Sequence, residues 1–291
     1  MKGTARSFGA ITVANALPVG IGCAAGVSLA VDAEVTVTPE GSRRAPRLEV
    51  PPESRSPLVE ASLRFALSKY LPDPHAVVAL SLRSEIPVGR GLKSSSAVCT
   101  AILWAIARAS GREPSALEVA RGSAEVGRRS GVSATGALDD ALAGLESGFV
   151  VTNNARDELL RRTAIDPDWG VALYIPQRPH PPSPSVAASF AKERAAGELA
   201  ARAAMDGDWP RAMRLNTELV ERVMGYSYVG LRDRLRERGA IASGVSGLGP
   251  TLAVIAPRGR LPDIVREFPS DSAARRWVPF ARSLLEGGVA P

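Results

Sequence analysis

The stretch Pro87-Val88-Gly89-Arg90-Gly91-Leu92-Lys93-Ser94-Ser95-Ser96-Ala97 sets the chemistry expected of this chain. Two glycines, a lysine and a serine run stand directly ahead of an apolar segment. A strand over residues 77–86 is expected to lead into it. A helix is expected over residues 94–110, with serine capping its start and Gly111 ending it. Glycine lets a backbone approach an oxyanion closely, and the following helix adds the positive end of its dipole. Lys93 adds charge, and Ser94, Ser95 and Ser96 add hydroxyls able to bond phosphate or Mg²⁺. The P-loop pattern G-x-x-x-x-G-K-[ST] is not met, because Leu92 rather than glycine precedes Lys93. A serine-capped turn with no ligand is the competing reading.

Two other segments bear on that choice. Residues 131–145, GVSATGALDDALAGL, run from a turn holding Thr135 and Gly136 into a short helix that begins with Asp139 and Asp140. Such acids can cap a helix, or one can take a proton from a substrate hydroxyl. Helix neighbours do not share a face, so at most one of the two serves as base. Ser246-Gly247-Leu248-Gly249-Pro250-Thr251 is a second glycine-rich turn ahead of a strand. Gly247 and Gly249 would let it come close to the site.

The rest of the chain reads as α+β. Paired strands are expected over residues 8–37 and an exposed loop over 39–57. Helices follow at 57–70 and 115–130, and strands at 148–153 and 171–176. A proline-rich connector, PQRPHPPSP at 176–184, precedes a helical region to 239, and the chain ends in a helix and a strand. The change of character places two domains at 1–160 and 161–291. The charge-free run from Phe8 to Val31 contains Gly9, Asn15, Pro18, Gly20, Gly22 and Gly26. It reads as buried strands around a turn rather than a membrane span.

The chain has 291 residues and a net charge of +6. No basic cluster with interleaved aromatics supports nucleic-acid binding. The run Arg232 to Arg238 alternates in sign and reads as a solvated helix face. Cys23, Cys99, His75 and His180 lack zinc-site spacing. Both cysteines sit among small apolar residues, which predicts buried, reduced thiols and a cytoplasmic protein.

In this order the three segments resemble the motifs of the GHMP kinase superfamily. The match runs from Pro87 to Ala97, through Gly136-Ala137-Leu138-Asp139, to SGLGPT. Within it, GLKSSSA, GVSATGALDDA and the opening GAITVANALPVGIGCAAGVSLAVDAEV are similar to archaeal-type shikimate kinases. Leu138 and Ala134 depart from that pattern, and no Gly-Glu-His segment of the sugar and mevalonate relatives is present. The resemblance implies a ribosomal S5 domain 2-like N-terminal domain and a ferredoxin-like C-terminal domain, with ATP and acceptor between them. It implies transfer of phosphate from ATP to the 3-hydroxyl of shikimate, a step toward chorismate and aromatic amino acids. Homoserine and mevalonate kinases are the alternatives.

It further implies residue roles. Residues 87–97, with Gly89, Arg90, Gly91 and Leu92 among them, would hold the triphosphate. Ser95 would contact Mg²⁺, with Glu125 as a second ligand. Asp139 would be the base, with adjacent Asp140 as the other choice. Thr135, Gly136, Ser246, Gly247 and Gly249 would shape the acceptor side. The acceptor's carboxylate calls for an arginine or lysine. Arg6 and Arg178 are unranked candidates.

Overall fold

The computed structural model describes residues 1–40, 46–71, 76–177 and 186–283. The connector from Arg178 onward, His75 and His180 lie outside the described residues.

Strands β1 (Lys2–Ala14) and β2 (Ile21–Pro39) form a long antiparallel hairpin. The other edge of β2 is long enough for two partners. Residues 31–39 pair with β4 (Ala76–Ser84), and residues 21–25 with β5 (Phe149–Asn153). A short strand, β3 (Arg47–Glu49), adds parallel to β4, and β6 (Glu158–Thr163) adds antiparallel to β5. Neither was expected. β3 is three residues in a Pro- and Arg-rich loop, and β6 carries Leu159 and Leu160 half exposed without a clean alternation.

Four helices accompany this sheet: α1 (Pro57–Tyr70), α2 (Ser94–Ala109), α3 (Ala116–Arg129) and α4 (Leu138–Ala143). α2 packs on β1 and β2, while α1 and α3 pack on α2. A helix apolar on all sides must be buried all round. α2 meets that condition, with Ile102, Leu103, Trp104 and Ile106 each at 1% exposure or less. Ser56 caps α1, accepting from the Val59 N–H at 3.2 Å ahead of Pro57 in the first turn.

The second sheet is antiparallel throughout. Its order is β10 (Ser272–Pro279), β7 (Trp169–Pro176), β9 (Leu252–Pro257), β8 (Ala242–Val245). Its helices are α5 (Val186–Lys192), α6 (Arg194–Asp206), α7 (Trp209–Met224), α8 (Val229–Glu237) and α9 (Leu261–Arg266). α6 and α7 pack together, and α7 touches both β8 and β1. The expected α+β pattern with two sheet-bearing regions is the one observed.

Residue 160 falls inside β6, and the chain passes from the first sheet to the second between Thr163 and Trp169. One apolar cluster runs from the first sheet into Val171, Leu173 and Ile255 of the second. Phe149 stacks on Trp209 at 4.6 Å, and Ala281 N–H donates to Gly26 carbonyl at 2.9 Å. The two sheets thus share a core.

The 232–238 run corrects one expectation. Arg232 is not a solvated charge: its side chain is 13% exposed and pairs with Glu221 at 3.4 Å. Glu221 also accepts from the Tyr228 N–H at 2.8 Å.

Candidate active site

The phosphate-loop stretch turns sharply because Gly89 (φ +69°), Gly91 (φ +79°) and Lys93 (φ +66°) all adopt left-handed backbone. For lysine this conformation is strained, and such strain collects at functional sites. Lys93 is the N-cap of α2, and no side chain caps the helix. The expected serine cap is therefore absent. Serine fills the first helical positions instead, and the Ala97 N–H makes the first bond of the helix, to the Lys93 carbonyl at 3.1 Å. The N–H groups of Ser94, Ser95 and Ser96 are left facing outward from a 16-residue helix, at the positive end of its dipole.

These residues line a cleft of about 350 Å³. Its opposite walls are the turn 132–137, Asp140, and the loop Gly247-Leu248-Gly249. Pro87, Arg90 and Ala97 lie outside the lining. Ala97 is buried in the first turn of α2. Arg90 reaches across to the second sheet, donating to the carbonyls of Pro176 and of Gln177 (2.6 Å).

Ser246 has a structural task in place of a ligand. It is fully buried, its hydroxyl donates to the Gly91 carbonyl at 2.7 Å, and it accepts from the Thr12 N–H at 3.1 Å. The Thr12 hydroxyl in turn accepts from the Gly247 N–H at 2.9 Å. This closed set ties β1, the phosphate loop and the third loop together. A Cβ on Gly91 would run into the Ser246 carbonyl, so glycine is needed there for approach as well as for φ. Tyr226 and Tyr228, just beyond α7, donate to the Leu248 carbonyl at 2.9 Å and the Pro250 carbonyl at 2.8 Å. Neither tyrosine is marked by any local sequence pattern.

The two adjacent acids point to different sides, as about 100° of rotation per residue on a helix allows. Asp139 is 4% exposed and faces the sheet. Its carboxylate lies on Gly22 and accepts from the Asn154 amide at 2.9 Å. Asp140 faces the cleft and pairs with Lys93 Nζ at 3.0 Å, the two side chains being 9% and 15% exposed. The other Asp140 oxygen, Oδ1, is buried without a partner among the described residues. Burial, and secondarily the Asp139 charge, push the Asp140 carboxyl up to about 7, against the opposing pull of Lys93. The two acids named for the role of base are thus placed differently. Asp139 is held away from the cleft, and Asp140 is the acid presented to it.

Ala137, at the N-cap of α4, is left-handed with φ +53°. Both helix starts that enter the cleft thus carry a strained non-glycine residue. Thr135 and Gly136 line the cleft as expected. The Thr135 hydroxyl accepts from the Ala137 N–H at 3.3 Å, and so shapes the turn.

Glu125 is not among the residues lining the cleft. Ser123 and Gly127 of α3 line the cleft, but Glu125 lies between them, turned toward solvent and paired with Arg129 at 3.2 Å. Arg6 is bound to Asp32 on the first sheet and lines no wall of the cleft. Cys23 and Cys99 are buried free thiols, and burial raises both above the ordinary thiol range.

No group of three His, Cys, Asp or Glu side chains able to hold a metal ion occurs among the described residues. The oxygen donors at the cleft are serine and threonine hydroxyls, the Asn15 amide and the Asp140 carboxylate; the buried Cys99 thiol lines it as well. That set suits Mg²⁺ carried largely by phosphate oxygens and water, and does not suit a site built wholly from protein ligands. No helix among the described residues is long and apolar enough to cross a membrane.

Residues 58–148 match the GHMP kinases N terminal domain family. The chain is 33% identical to the shikimate kinase of Pyrococcus furiosus over 269 residues, covering 92% of this chain and 97% of that one. It is 32% identical to the shikimate kinase of Archaeoglobus fulgidus, covering 96% and 90%. Among solved structures, the mevalonate kinase of Methanococcus jannaschii superposes with a TM-score of 0.73 at 13% identity, covering 96% and 98%. The homoserine kinase of Cytophaga hutchinsonii gives 0.69 at 15%, covering 97% and 96%. The structural matches speak for the fold alone.

Proposed function

This chain belongs to the GHMP kinases, enzymes that transfer phosphate from ATP, and from that premise we propose that it phosphorylates the 3-hydroxyl of shikimate. The observation that carries the chemistry is Asp140. It is a buried carboxylate, paired with Lys93 at the uncapped start of α2, and it faces the cleft that the phosphate loop lines. The acceptor's identity is supported by the relatives of like length, which are named as shikimate kinases.

Phosphoryl transfer is mostly positioning and charge neutralisation. The N–H groups of Ser94 to Ser96 and the glycine backbone at 89–91 cradle the nucleotide's phosphates, and Lys93 adds a positive charge beside them. Ser95, exposed at the cleft, is the side chain placed to hold Mg²⁺ together with phosphate oxygens. When bound, that ion neutralises charge on the phosphates. Asp140 takes the proton of the acceptor hydroxyl as its oxygen bonds the γ-phosphorus. The bond from that phosphorus to the β–γ bridging oxygen breaks, and ADP leaves. Lys93 keeps Asp140 oriented and more readily ionised than burial alone would allow. Gly247 to Gly249 close the cleft opposite the phosphate loop.

A coupled ADP-release assay with ATP, Mg²⁺ and, separately, shikimate, homoserine, mevalonate and galactose tests this. Turnover with shikimate alone is the expected result. Turnover with another acceptor and not shikimate discards the substrate and keeps the kinase.

A further inference from the structure

A second cavity, also of about 350 Å³, opens beside the cleft. It shares Leu17, Ala134 and Thr135 with the cleft, so the two meet at the turn that leads into Asp140. Its remaining wall includes Gly20 in the β1–β2 connection, Asn154 after β5, and Arg128 at the end of α3. Among the described residues Arg128 is the one charged member of that lining.

The guanidinium is held in place. It forks onto Asp157, with Nη1 at 3.0 Å from Oδ1 and Nη2 at 2.6 Å from Oδ2. Nη1 also leans toward the carbonyls of Thr135 (3.5 Å) and Asn154 (3.4 Å). A Cβ on Gly136 would collide with the same nitrogen, so Arg128 lies against the acid-bearing turn itself. An arginine has five N–H donors. Nε–H and the second Nη2 hydrogen have no partner among the described residues. A guanidinium already fixed by one carboxylate loses little freedom on meeting another, and planar bidentate recognition is its strength.

We propose that this second cavity seats a carboxylate of the acceptor, with Arg128 as its partner. The inference rests on the reading of the cleft as a site that phosphorylates a hydroxyl. Among the described residues no acidic side chain lines the cavity, whereas Asp140 lines the cleft. A carboxylate seated in the cavity rather than in the cleft is therefore spared an acidic neighbour. Asp157 offsets much of the net charge, so recognition depends on directed N–H groups more than on a bare positive field.

The test is the ADP-release assay with wild type, Arg128→Met, Arg128→Lys and Asp157→Asn. Shikimate, homoserine and mevalonate are acids; galactose is neutral. For whichever acid the wild type uses, Arg128→Met should raise the acceptor KM about tenfold or more, with the KM for ATP unchanged. Arg128→Lys, which keeps the charge and loses the fork, should fall between. The methyl ester of that acid should be used equally poorly by wild type and Arg128→Met. Asp157→Asn should leave the acceptor KM within about threefold of wild type, because the N–H donors remain. A merely structural Arg128 would raise KM for acid and ester alike, and Asp157→Asn would copy it; that pattern overturns the proposal. Use of homoserine or mevalonate discards shikimate but still reads Arg128, while use of galactose alone overturns the carboxylate site. If none is used, calorimetric titration with shikimate and its methyl ester reads the same cavity, and equal or absent binding overturns it.

Discussion

Asp140→Asn removes the proposed base, and the expected consequence is a change in the shape of a pH profile as well as a loss of rate. The Asp140 carboxyl stands at about 7 because burial and the neighbouring Asp139 charge outweigh Lys93. A base works only when ionised, so the acid limb of kcat/KM belongs to this group. With that value the ionised fraction is about one tenth at pH 6, about one half at pH 7 and about nine tenths at pH 8. Wild-type kcat/KM should therefore climb about tenfold from pH 6 to pH 8 and level off above it. An ordinary exposed carboxylate titrates near 4 and would give a flat profile over that range. Asparagine is isosteric and cannot accept the proton, so Asp140→Asn should lose about 100- to 10,000-fold in kcat and lose the acid limb with it. The assay is ADP release from pH 5.5 to 9 with saturating ATP, and a thermal melt of the variant shows that it is folded. A flat wild-type profile, or a variant that keeps both its rate and its limb, would refute the assignment.

Removing either neighbouring charge should move the same limb, in opposite directions. Lys93→Met takes away the cation that favours the ionised form and should shift the limb upward by about one unit or more. Asp139→Asn takes away a repelling charge and should shift it downward, with the Asn154 contact kept by the remaining amide oxygen. Glu125→Gln should leave the dependence of rate on Mg²⁺ concentration unchanged, since Glu125 faces solvent beside Arg129; a raised Mg²⁺ requirement would restore it as a ligand. Ser246→Ala breaks two buried hydrogen bonds and should cost about 1–3 kcal/mol in denaturant melts while raising the KM for ATP. Unchanged stability would show that the junction of the two loops is held elsewhere.

Much of the chain's local structure was legible residue by residue. The helix over residues 57–70 carries its own start and its own buried face: a serine cap, a proline in the first turn and apolar residues at helical spacing. α2 was equally plain, because a run of sixteen residues without Gly or Pro and with apolar groups on every side has one stable outcome, a buried helix. β3 and β6 were not legible, since what makes them strands is a free edge offered by β4 and β5. Arg232 shows the same limit in a side chain. Its alternating-charge neighbourhood reads as surface, and only the packing of α8 and α7 brings it to Glu221.

At the site, the sequence by itself determined the chemical inventory: glycines and serines at the start of α2, a lysine beside them, two adjacent acids after a turn and a third glycine loop. Those are properties of residue type and spacing along one segment, and they suffice for a phosphate-handling cleft. Which of the two acids faces the cleft is a matter of packing. Asp139 and Asp140 differ by one position, and the choice between them rests on Gly22 and Asn154 taking one carboxylate into the sheet while Lys93 takes the other into the cleft. Tertiary structure also decided that Ser246 is a strut and that Glu125 faces water. Each outcome depends on a partner at least 15 positions away or on a rotation about a helix axis that only packing sets.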